Sequence, residues 1–76
     1  MAHSRAQAFG DALRELREDR DLSQEAAALT CGIDRSYLGK LERAEKVPTL
    51  TTIWKIADAF GIEASTLMAR AERLAK

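Results

Sequence analysis

Little in this sequence can be cross-linked, coordinated or passed through a bilayer. Its single cysteine, Cys31, cannot close an intramolecular disulfide, so nothing argues for secretion. Cys31 also has no nearby base to make it a nucleophile, and it reads as a small buried hydrophobe. The single histidine, His3, has no second ligand placed to hold a metal ion with it. No apolar run reaches the length of a membrane span, and no signal-peptide order of residues opens the chain, so a cytoplasmic location is expected. With four glycines and one proline there is no glycine-rich phosphate loop, linker or low-complexity tract. Neither sustained alternation nor a hairpin dipeptide points to strands. Catalytic residues, metals and cofactors are therefore not expected.

What remains is helical periodicity in 76 residues, room for one domain. Phe9, Leu13 and Leu16 recur at helical spacing and predict a first helix over about residues 6–20, with residues 1–5 flexible before it. Its outer face offers Arg14 to Glu18 and Arg17 to Asp21 as i,i+4 pairs. Ser23 is a good N-cap for a second helix with Glu25 in its first turn, and Asp34 is expected to cap a third in the same way. Pro48 stops continuation, and Thr49 can cap a fourth helix carrying Leu50, Ile53, Ala57 and Phe60 on one face until Gly61 ends it. Ala64, Leu67, Met68, Ala71 and Leu74 form the stripe of a fifth, within residues 64–76.

The stretch from Gln24 to Arg43 carries the most information. Small Ala28 is followed four residues later by Gly32, then by apolar Ile33, Leu38 and Leu41. That is the spacing for two short helices crossing steeply through a tight turn. Ala28 permits close approach, Gly32 can take the positive φ of the turn, and the three apolar residues anchor one face of the second helix. The opposite face presents Arg35, Ser36, Gly39 and Lys40, a surface suited to the major groove of duplex DNA.

These residues resemble the helix-turn-helix of the phage repressor/Cro-like (XRE-type) DNA-binding family, over most of the chain from about Phe9 to Leu67. Asp34-Arg35-Ser36-Tyr37 followed by Leu41-Glu42-Arg43 is most similar to the controller regulators of restriction–modification operons. The resemblance implies an all-α, five-helix lambda-repressor-like bundle with the motif in helices 2 and 3. It also implies a phosphate contact for Gln24 and a structural pair between Arg17 and Glu42. One departure is Ala44, where the family usually carries glycine. Either Ala44 adopts a left-handed conformation or the helix runs on by a turn.

Arg35 lies where the helix tip would enter the groove, and its guanidinium can grip guanine O6 and N7 together; the competing reading is a surface arginine paired with Glu25. Ser36 and Lys40 share that side, and a mid-helix glycine at 39 suggests close approach of backbone to DNA. Tyr37, Arg43, Lys46 and Thr49 are expected at the DNA backbone with Gln24. Twelve basic residues balance twelve acidic ones, but the charge is segregated. Arg35, Lys40, Arg43 and Lys46 face only Glu42 and Glu45 in their segment, whereas acids prevail from Asp11 to Asp21.

Trp54 and Ile56 flank the apolar face of the fourth helix beyond what a small core requires. With Leu67, Met68 and Ala71 they predict a homodimer in which Trp54, Leu67, Met68 and Ala71 form the interface. Such a dimer would read a pseudo-palindromic operator with half-sites about 34 Å apart. The acidic face of the first helix (Asp11, Glu15, Glu18) or the segment around Glu45 could meet RNA polymerase. The alternatives are an antitoxin-type autoregulator, which would be expected to carry a toxin-binding tail beyond Lys76, and a protein-interaction module, which the zero net charge favours.

Overall fold

The computed structural model describes residues 4–75, and His3 with the rest of residues 1–3 lies outside them. Five helices follow one another: α1 (Arg5–Asp19), α2 (Gln24–Cys31), α3 (Arg35–Glu42), α4 (Leu50–Ala59) and α5 (Ala64–Leu74). No strand occurs among the described residues. Helix α1 starts earlier than its apolar pattern suggests, because Ser4 caps it by accepting the Gln7 amide at 3.0 Å. Ser23 and Thr49 cap α2 and α4 as expected. Asp34 stands at the N-cap of α3, but its exposed side chain makes no capping hydrogen bond; only its carbonyl takes part, accepting from the Leu38 amide.

Four of the helices end in the same device. The residue after the last turn takes a left-handed conformation, and the next amide reaches back five residues to an orphan carbonyl. The pairs are Leu22 to Arg17, Ile33 to Ala28, Glu45 to Lys40 and Ile62 to Ala57, at 2.8–3.1 Å. Gly32 and Gly61 occupy two of the left-handed positions, while Asp21 (φ 55°) and Ala44 (φ 61°) occupy the others. Thus α3 does not run on, and Ala44 adopts the conformation that glycine takes at lower cost. Replacing Ala44 with glycine is expected to raise stability by about 0.5–1 kcal/mol, the relieved strain being partly offset by a more flexible unfolded chain. A urea midpoint that falls instead would show that the alanine methyl contributes packing.

Leu13, Leu16, Leu38, Leu41, Ile56 and Leu67 are the largest side chains fully enclosed in the core. The inner face of α4 is rotated from the one expected. Ile56 is central and Leu50 lies outside, because Thr52, Ile56, Ala57 and Phe60 point inward at helical spacing. The i,i+4 pairs of α1 are also replaced: Arg14 bonds Asp11, and Arg17 reaches across to α3. Gly10 permits the packing of α1 on the end of α3. A Cβ there would stand 2.5 Å from the Leu41 carbonyl oxygen and 2.7 Å from that of Glu42.

Candidate nucleic-acid interface

Helix α3 is held from behind and bare in front. Leu38 and Leu41 are fully buried, and Glu42 beside them is only 4% exposed. The Glu42 carboxylate accepts from Arg17 Nε at 2.7 Å, Arg17 Nη2 at 3.0 Å and Gln24 Nε2 at 3.0 Å. Arg17 Nη1 donates to the Leu22 carbonyl at 3.0 Å. One arginine thus ties α1 to the turn before α2 and to the carboxyl end of α3. The bond to Glu42 raises the Arg17 pKa above its ordinary value, against the opposing effect of burial.

In front, Arg35, Ser36 and Lys40 are exposed and make no side-chain hydrogen bond or ion pair within the described chain. The Arg35–Glu25 pair considered from the sequence is not formed. Lys46 is likewise exposed and without a side-chain bond. Gly39 is a correction. It is buried, because the Arg43 side chain folds back over it and the Gln24 side chain lies beside it. Arg43 Nη1 stands 3.0 Å from where a Cβ would be, so Gly39 offers no open backbone to a groove; it makes room for arginine.

The expected backbone ligands are arranged around this face with different degrees of freedom. Gln24 spends its amide nitrogen on Glu42, and Tyr37 packs on the core with its hydroxyl 3.5 Å from Thr52 Oγ1. Thr49 Oγ1 accepts the Thr52 amide at 3.1 Å and lies 3.0 Å from the Thr52 hydroxyl, so the tyrosine tip reaches the capped start of α4. Arg43 donates to Glu45 through Nε at 2.8 Å and Nη2 at 3.3 Å, an exposed pair for which the sequence reading made no provision.

A second surface lies on α4 and α5. Leu50, Ile53, Trp54, Ala64, Ser65 and Met68 line an open, largely apolar groove of about 210 Å³. Trp54 is 55% exposed and Met68 37%, as an interface requires, whereas Leu67 is fully enclosed in the chain's own core and is not available to a partner. Ala71 is also buried, on the floor of an adjoining groove of about 290 Å³ that Met68 shares. The sequence pattern assigned one stripe to both duties; Leu67 and Ala71 face inward, exposed Leu50 lines the groove with Trp54 and Met68, and Ile53 borders it while packing partly on the core. On α1, Asp11 bonds Gln7 and Arg14, while Arg70 of α5 engages Glu15 and Asp19, so much of the acidic face is neutralised internally. Burial pushes the Cys31 thiol up from its usual range, consistent with a packing role.

Residues 13–67 match the family described as Helix-turn-helix. The chain belongs to that family. Helix-turn-helix relatives include control protein C.MunI of Mycoplasma sp, 35% identical over 66 residues, which span 86% of this chain and 89% of that one. The HTH-type transcriptional regulator SutR of Escherichia coli (strain K12) is 38% identical over 56 residues, 74% of this chain, though the match spans only 32% of its length. Among solved helix-turn-helix structures, the restriction-modification controller protein C.AhdI from Aeromonas hydrophila shares 45% identity and a TM-score of 0.78, over 82% of this chain and 94% of that one. No helix of the described chain is long and apolar enough to cross a membrane.

Proposed function

We propose that this chain is a sequence-specific DNA-binding transcriptional regulator that binds a pseudo-palindromic operator as a homodimer. The reading rests chiefly on the exposed Arg35, Ser36 and Lys40, which lack internal partners on a helix that Leu38, Leu41 and Glu42 fix from behind. Donors left unsatisfied on a rigid support are what recognition of base edges requires. Similarity to C.AhdI and C.MunI supports the narrower reading of a restriction–modification controller acting on its own operon as activator or repressor. The apolar groove on α4 and α5 is the proposed twofold interface. Two linked reading heads bind a palindrome far more tightly than one, because the second contact becomes intramolecular.

Selection of bound sequences from a random duplex pool is the direct test, and a palindromic consensus is the expected result. Arg35→Ala should weaken operator binding by about 1–3 kcal/mol and relax one symmetric position of that consensus. Lys46→Ala should weaken all sequences alike and flatten the salt dependence. If Arg35→Ala lowers affinity uniformly and leaves the consensus unchanged, Arg35 is a phosphate ligand instead. An interaction module that has lost DNA binding is the second reading, favoured by twelve acidic residues against twelve basic ones. A pool that enriches no motif would support it.

A further inference from the structure

Residues two apart do not face each other on a helix, yet Arg43 and Glu45 form a two-pronged ion pair. Left-handed Ala44 between them makes it possible by turning the chain back on itself. The Glu45 amide is tied to the Lys40 carbonyl at 2.8 Å, which brings the carboxylate to the end of α3. Arg43 in turn lies along the stripe of Arg35 and Gly39, with Nη1 over the glycine. Its Nε and Nη2 donors are both taken by Glu45, and both side chains are about half exposed.

A carboxylate and a DNA phosphate present the same kind of paired anionic acceptor to a guanidinium fork. One set of Nε and Nη2 donors cannot serve both. We propose that the Glu45 carboxylate occupies a phosphate site on Arg43 and must leave it before the DNA backbone can bind, which lowers the affinity of this chain for duplex DNA of any sequence. The inference rests on the DNA-binding reading above. Glu45 is held ionised by the hydrogen bond from Arg43, with the nearby charges of Arg43 and Lys40 acting in the same direction; its pKa lies below the ordinary carboxylate value. Glu45 is therefore ionised and able to pair at neutral pH, and an arginine already neutralised releases fewer counterions when it meets DNA.

The test is equilibrium titration of a random-sequence duplex over a series of salt concentrations, with wild type, Glu45→Gln, Arg43→Ala and the double variant. Glu45→Gln should bind about three- to fivefold tighter at low salt, the upper part of the range of an exposed ion pair. Its log–log salt slope should steepen by up to about one, as one more phosphate is neutralised. In the Arg43→Ala background the same change should gain less than about 1.5-fold, only the direct repulsion of phosphate remaining. Equal gains in both backgrounds would mean that Glu45 acts through net charge alone. Unchanged or weaker binding by a folded Glu45→Gln chain would mean that Glu45 supports Arg43 instead of obstructing it. Either result overturns the inference while leaving the DNA-binding reading intact. A wild type that binds no duplex at low salt would remove both.

Discussion

Arg17→Ala is expected to lower the stability of the folded chain by about 3–5 kcal/mol, because it leaves the Glu42 carboxylate enclosed without its cation. Gln24 would still donate to one Glu42 oxygen, but one neutral amide cannot replace a bidentate guanidinium. Arg17→Lys should recover only part of the loss, since an ammonium lacks the planar fork that reaches Glu42 and Leu22 together. Urea denaturation followed by far-UV circular dichroism measures the effect. A loss below about 1 kcal/mol would show that water reaches Glu42 and relieves the buried charge.

Leu67→Glu and Met68→Glu should part company although they are neighbours in sequence. Leu67 is enclosed in the core, so a glutamate there would bury an unpaired charge in an apolar site and cost more than about 4 kcal/mol, a large share of what so small a domain possesses. That variant should be unfolded. Met68 is 37% exposed and borders both apolar grooves, so Met68→Glu should remain folded while its dimer dissociates at higher protein concentration. Sedimentation equilibrium beside a thermal melt distinguishes the two. A Met68→Glu chain that melts normally and dimerises as tightly as wild type would place the twofold contact elsewhere.

The features legible in the sequence were those encoded locally. Caps at Ser23 and Thr49, the turn at Gly32 and the stop at Gly61 each depend on a few consecutive residues. Apolar spacing located five helices but could not resolve which of two adjacent stripes faces inward. Leu50 and Ile56 were exchanged for that reason, and Leu67 was assigned to the surface. No glycine marks the left-handed turns at Asp21 and Ala44; for Ala44 the sequence left such a turn and a longer helix as the two outcomes, and nothing in it points to the turn at Asp21. The Arg17–Glu42 link was anticipated through family resemblance, because its partners lie 25 residues apart. The close packing at Gly10, the Arg43–Glu45 pair and the Arg70 bonds to Glu15 and Asp19 are not legible in the apolar pattern. Gly10 carries one signal, a residue that costs about 1 kcal/mol within a helix interior, set among core positions. The Arg43–Glu45 pair carries none until the conformation of Ala44 is known.

Along the eight residues of α3, the side chains that hold the helix and those that face outward are different sets. Leu38, Leu41 and Glu42 anchor it, while Arg35, Ser36 and Lys40 are exposed and make no side-chain hydrogen bond or ion pair among the described residues. Such a division makes the outer positions exchangeable. New combinations at 35, 36 and 40 can be sampled one at a time, each at a cost to stability within about 0.5 kcal/mol, so none of the intermediates is lost to misfolding. On the DNA-binding reading proposed above, a lineage of such chains can drift from one operator to another without rebuilding its scaffold, and a laboratory library varied at these three positions, proline excluded, should be populated almost entirely by folded members.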